Sequence, residues 1–206
     1  MSTLSEKLKT YDFSKLFKKK GYAFFDRGSY NLNIIGIRSN QANKVTNRFD
    51  DYFVVIYKDK SNKWNRKIWS GTTEPGLDWV KNPSNSKGVA IVVPGQYRGL
   101  WKIALHSGKY EALCQRVTPI KVYRDGNKDT IYDLLPTKID TGVFGINMHR
   151  AAKSGKSLYV GKYSAGCQVF ADANDFNEMM KLAKLQVASG MGTTFTYTLL
   201  NESDLT

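Results

Sequence analysis

The chain has 206 residues and a mass of 23.3 kDa, enough for one domain with a sizeable core and no dependence on disulfide or metal staples. Its 41% hydrophobic and 24% charged residues are ordinary globular composition, and no run approaches the roughly 18 apolar residues of a transmembrane helix. A net charge of +13 does not fit cationic partners; it favours nucleic acid, an acidic membrane surface or an acidic polymer such as a bacterial wall.

Residues 1–28 read as a basic appendage or docking element. Asp12 caps a short helix through Phe13, Leu16 and Phe17, Gly21 stops it, and Lys18–Lys20 sit in the last turn, where cations suit the helix dipole. Charges recur every few residues up to Lys20, so no secretory signal peptide is expected. Residues 29–206 form the main domain. Strands are predicted over 31–38, 52–57, 89–93, 101–106, 110–116, 120–123, 143–149, 158–163 and 193–200, separated by Gly, Asn and Asp turns. One long helix is predicted from about Asp172 to Ala188, with Phe176, Met179, Met180, Ala183 and Val187 on its apolar face. The Met pair reads as core packing. The fold class is therefore mainly β, a curved antiparallel sheet or sandwich with one long helix near its end. Strands without alternating helices argue against a doubly wound fold.

The chemistry centres on Cys167. Two cysteines, Cys114 and Cys167, make no disulfide framework, and no CxxC zinc spacing occurs. Cys167 follows Ser164-Ala165-Gly166, a small-residue approach that leaves the Gly166 and Cys167 amides free to face a developing oxyanion. His149 ends a strand eighteen positions earlier. The intervening loop lays the two segments side by side, so imidazole can come within hydrogen-bond reach of the sulfur and take its proton. Cys114 reads as a small core residue and His106 as a satisfied sheet histidine.

The segment from Val143 to Phe170 resembles the active-site signature of L,D-transpeptidases of the YkuD type: a strand-end histidine, here His149, then fourteen residues, then Ser164-Ala165-Gly166-Cys167. The glycine and proline turns at 71–76 and 92–95 are loosely similar to that family's loops, and the strand at 31–38 is similar to members encoded by tailed bacteriophages. The resemblance implies an L,D-transpeptidase-type fold, Cys167 as nucleophile, His149 as general base, Gly166 and Cys167 as oxyanion donors, and Ser164 shaping the turn. Ala165 stands where the family has His, and Val169 where it has Arg or Asn. Arg150 is then a candidate for a replacement charge toward a substrate carboxylate, and Tyr97 for a substrate contact.

The expected activity is cleavage or exchange of peptidoglycan stem-peptide amide bonds through a Cys acyl-enzyme, hydrolysis being favoured, with no cofactor or metal required. The rival is a non-catalytic virion or wall-binding protein that kept the fold. The chain would be made in the host cytoplasm and act at the wall after release through lysis pores or as a virion component. Other virion proteins are candidate partners for the N-terminal segment.

Two weaker patterns complete the reading. Asp125, Asn127, Asp129 and Asp133 match positions 1, 3, 5 and 9 of a calcium loop, but Thr130 and Pro136 replace its Gly and Glu. Lys58, Lys60, Lys63, Trp64, Arg66, Lys67 and Trp69 interleave charge with aromatics as a nucleic-acid surface does, but no recognised binding motif accompanies them, so nucleic acid is not the expected partner.

Overall fold

A computed structural model describes residues 3–39 and 42–206. Eight strands close into a barrel and three more form a small sheet beside it. In chain order the elements are α1 (Leu4–Thr10), α2 (Phe13–Lys20), β1 (Asn33–Arg38), β2 (Asp51–Lys58), β3 (Trp64–Thr72), α3 (Leu77–Lys81), β4 (Val89–Val92), β5 (Gly95–His106) and β6 (Tyr110–Gln115). They continue with β7 (Ile120–Asp125), β8 (Ile139–Gly142), β9 (Met148–Arg150), β10 (Gln168–Phe170), α4 (Ala173–Ala188) and β11 (Thr194–Asn201). The barrel runs β1-β11-β5-β6-β9-β10-β3-β2, and the small sheet β4-β7-β8.

The domain is mainly β, as expected, but the sheet closes and is not purely antiparallel: β1–β11 and β9–β10 pair in parallel. Parallel neighbours need a crossover of a dozen or more residues. The stretch between β9 and β10, residues 151–167, is long enough. Among the described residues, no helix is long and apolar enough to cross a membrane.

Alternation along the strands sorts side chains to two faces. Ile34, Phe53, Val55, Tyr197 and Leu199 point into the main core with Trp101, Met148 and Phe170. Their neighbours Ile35, Ile37, Val54, Ile56 and Leu200 point outward, where Leu8, Phe13, Leu16 and Phe17 cover them. This is why β1 is apolar on both faces. Residues 4–24, expected as an appendage, are thus a lid on the barrel wall. The expected caps are present: Asp12 accepts from the Lys15 amide, and Gly21 takes a left-handed φ of 69°. Phe17→Ala should cost about 3–5 kcal/mol in a denaturant titration, since it empties a fully buried site between helix and sheet.

Two strand expectations fail, and β3 and β8 lie where no strand was expected. Residues 143–147 do not join β9, because the Phe144 and Ile146 amides donate to Gln115 Oε1 rather than to a strand partner. Residues 158–163 are irregular with a 3₁₀ turn; Val160 is buried, but Leu158, Tyr159 and Tyr163 stay exposed, so one inward side chain is too little to hold a strand. Strand β3, hidden by its charges, is the partner of β2. The same charges explain the basic cluster: Arg66 donates to the Leu8 and Tyr11 carbonyls, Lys67 pairs with Glu178, and Lys58 lies over Trp64.

The long helix runs where expected, with Asp172 as its N-cap accepting from the Asn174 amide at 2.8 Å. Met179 and Met180 are buried in the core. Val187 is exposed, and Leu182 takes the buried place.

Candidate active site

Cys167 sits just before β10, beside Asn147 at the entry to β9; one residue on, Gln168 pairs with Met148. The turn that delivers it is built from small residues for a steric reason. Ser164 is buried; its hydroxyl donates to the Cys167 carbonyl at 2.8 Å and accepts from the Gly166 amide at 3.1 Å. Gly166 has φ +133°, and a Cβ there would lie 2.3 Å from the Ala90 carbonyl oxygen. Only glycine lets the turn approach β4 this closely. Gly166→Ala should therefore cost more than about 3 kcal/mol, because backbone rather than a flexible side chain must move. Gly145→Ala is the control: its φ is +74° but nothing lies within 4 Å, so a loss of only about 1–2 kcal/mol is expected in the same melting experiment.

A second anchor runs through the barrel. Gly36 leaves room for the Tyr197 hydroxyl, which donates to Gln168 Oε1. The Gln168 side-chain Nε2 donates in turn to the Gly166 carbonyl at 3.3 Å. This chain ties the cysteine turn to the buried core.

The sulfur has two partners. It accepts from the Asn147 amide at 3.5 Å and donates to the Gly145 carbonyl at 3.6 Å. Cys167 keeps partial access to a cavity, yet its surroundings are dense enough that burial pushes the thiol up to about 11. The Asn147 N–H opposes this and Cys114 adds to it. Arg124, Phe144, Gly145, Ala90 and Ala165 line that cavity with Cys167; its volume is ≈ 400 Å³.

His149 lies on the next strand, as the spacing suggested, but opposite Val169 rather than Cys167. It is two residues, about 6.6 Å, farther along β9 than Asn147. No hydrogen bond joins it to the sulfur. Instead its Nδ1 meets the Arg150 carbonyl at 2.8 Å. A carbonyl only accepts, so Nδ1 carries the proton and Nε2 keeps the free lone pair. Desolvation, then the charge of His106, push the imidazole down to about 4. His106 stacks on it, with ring centroids 4.1 Å apart.

Asn147 links these groups. Its Oδ1 accepts from the Gln115 amide at 2.9 Å, which turns Nδ2 toward His106 Nδ1 at 3.1 Å. His106 is therefore an acceptor at Nδ1. Sequence reasoning passed over Asn147, although its place two residues before His149 puts both on one face. It also passed over Arg124, whose signal was plain in hindsight. Arg124 shares parity with Ile120 and Val122 on the buried face of β7, where an arginine is out of place without a task.

The other expected residues go elsewhere. The Gly166 amide is committed to Ser164 Oγ, so of the two expected oxyanion donors only the Cys167 amide has no hydrogen bond among the described residues. Ser164 is sealed inside the turn and touches no open space. Arg150 follows His149 and so points to the opposite face. There it lies 4.2 Å over the Tyr110 ring, in a separate cavity against α4. The Tyr97 hydroxyl donates to the Val93 and Lys121 carbonyls, away from the sulfur.

In the Asp125–Asp133 loop, Asn127 Nδ2 donates to Asp129 and Asp133, which puts a donor where a cation would need acceptors. Among the described residues, no group of three or more His, Cys, Asp or Glu is arranged to hold a metal.

No protein-family model matches this chain, and neither a curated protein nor a solved structure matches it.

Proposed function

We propose that this protein is a cysteine enzyme of the L,D-transpeptidase type that cleaves or exchanges stem-peptide amide bonds in peptidoglycan. The observation that carries the reading is a thiol, Cys167, lining a cavity that Arg124 also lines. The resemblance of Val143–Phe170 to that family supplies the substrate class, and the +13 charge suits an anionic wall.

In the proposed reaction the sulfur attacks the peptide carbonyl, and its proton passes to His149 Nε2. The Cys167 amide stabilises the oxyanion. The C–N bond then breaks, the leaving amine takes the proton from His149, and a thioester remains. Water, or an acceptor amine, attacks the thioester and restores the thiol.

At rest the pair is neutral. Between a thiol near 11 and an imidazole near 4, proton transfer is uphill by roughly 10 kcal/mol. Attack and proton transfer must therefore occur together, after substrate has drawn Nε2 toward the sulfur. Catalytic hydrogen bonds commonly tighten only in the substrate complex.

The same neutral, unlinked thiol favours one rival, a wall-binding protein without turnover. Incubating purified protein with sacculi and separating the released muropeptides by mass spectrometry decides between them. New or shortened stem peptides are expected. Co-sedimentation with sacculi and unchanged muropeptides would establish the rival.

A further inference from the structure

Arg124 is the charged group nearest in kind to what a peptide substrate needs, and its bonding leaves it available. It is about nine-tenths buried, with 8% of its surface exposed. Its one hydrogen bond runs from Nε to Asp140 Oδ2 at 3.3 Å. Its guanidinium lies 4.5 Å over the ring of Phe144, which lines the same cavity as Cys167. No hydrogen bond engages either Nη atom, and neither is among the sealed, partnerless polar atoms of the described residues. The outer fork of the guanidinium therefore faces open space, while the inner edge is clamped. That arrangement fits bidentate recognition of a carboxylate.

Local charge agrees. Arg124 and Lys87 both contact the same Asp140 oxygen at 3.3 Å, so two cations share one anion. Arg124 is also the shared wall between the Cys167 cavity and a neighbouring one of ≈ 540 Å³ that Lys87 and Lys138 border. The Cys167 cavity lies toward the small end of ligand pockets. A group on Arg124 and a carbonyl at Cys167 thus belong to one short segment, since successive residues are only about 3.8 Å apart.

We infer that Arg124 is the specificity residue of the Cys167 cavity, binding a substrate carboxylate that lies close to the reacting carbonyl, with Asp140 and Phe144 holding the guanidinium in place. This rests on the proposed reading of Cys167 but concerns a different residue and a separable property. It assigns to β7 the charge that the sequence reading sought at Arg150.

The test uses a stem tetrapeptide with a free C-terminal carboxylate and the same peptide as its C-terminal amide. Binding is measured by calorimetry on full-length Cys167→Ala protein, with and without Arg124→Gln or Arg124→Lys. Thermal melting checks that each variant is folded. The free acid should bind roughly 10- to 100-fold tighter than the amide. Arg124→Gln should erase that preference, and Arg124→Lys should keep part of it. Equal binding of the two peptides, binding of neither, or a preference that survives Arg124→Gln overturns the assignment. Turnover by the wild type is read separately. Preference in binding with no turnover of either peptide upholds the carboxylate site and refutes the enzyme. Equal turnover of both peptides refutes the site and leaves the enzyme standing.

Discussion

Cys167→Ala is expected to lower muropeptide release from sacculi by more than about 10³-fold, while leaving the protein folded and bound to the wall. The fold should tolerate the change, because the sulfur makes only two long hydrogen bonds, at 3.5 and 3.6 Å. Release that persists at the wild-type rate would remove Cys167 from the mechanism. His149→Ala should fall nearly as far if Nε2 is the proton acceptor, since the two residues act on one proton. The protonation states add a second readout. In the free protein, alkylation of Cys167 by iodoacetamide should be slow at neutral pH and climb as the pH approaches about 11, because burial holds the thiol protonated. A thiolate–imidazolium pair would react well below the ordinary thiol range, but the charge partner the sequence offered, His149, is bonded to its own strand.

Arg38→Met should cost as much stability as emptying the Phe17 site. Arg38 shares the inward parity of Ile34 and Gly36, which carries its guanidinium to a polar cluster at one end of the barrel. It donates to the Thr73 hydroxyl and carbonyl and pairs with Glu74 at 3.1 Å. Asp51 completes the cluster, accepting from the amides and hydroxyls of Ser39 and Thr73. Removing the cation would leave the Thr73 hydroxyl and carbonyl and the Glu74 carboxyl without their buried donor, a loss of about 3–5 kcal/mol in urea unfolding.

The same cluster has a pH signature. Desolvation pushes Glu74 up to about 8; Arg38 opposes, and Asp51 and Asp50 add to the rise. The ion pair at 3.1 Å would by itself argue for an ionised Glu74, but burial outweighs it. A carboxyl raised in the folded state contributes stability that is whole below its unfolded value of 4.5 and is lost as pH climbs through about 8. His149 works the other way. Held down to about 4, it costs stability at low pH, and that cost disappears as pH rises to its ordinary 6.5. The two oppose each other up to pH 6.5, and Glu74 acts alone above it. Wild-type stability should then fall by up to about 1.4 kcal/mol per pH unit between 6.5 and 8. Glu74→Gln should flatten that slope. Urea midpoints at several pH values test both, and an unchanged slope in Glu74→Gln would refute the assignment.

Local chemistry carried much of the architecture. The caps at Asp12 and Gly21, the apolar stripe of α4 and the strand runs of β2 and β11 each depend on neighbours within a few residues, so they could be read in one dimension. So could the adjacency of the His149 and Cys167 segments. What stayed hidden depends on partners far away in the chain. Strand β3 was masked by Arg66 and Lys67, whose partners are Leu8, Tyr11 and Glu178. The segment at 158–163 has strand-like residues but buries only Val160 among them.

In the site the division is sharper. Residue order put a thiol and an imidazole on neighbouring segments, and glycine before the cysteine was legible as a need for close approach. Side-chain direction and desolvation were not. A one-residue step in a strand turns Arg150 away from the sulfur. A two-residue offset separates His149 from it. The fold of β7 brings Arg124 in from more than forty positions earlier. Protonation follows from the same cause: the cost of burying a charge depends on every atom packed around it, and those atoms come from β4, β7, β9 and β10 at once.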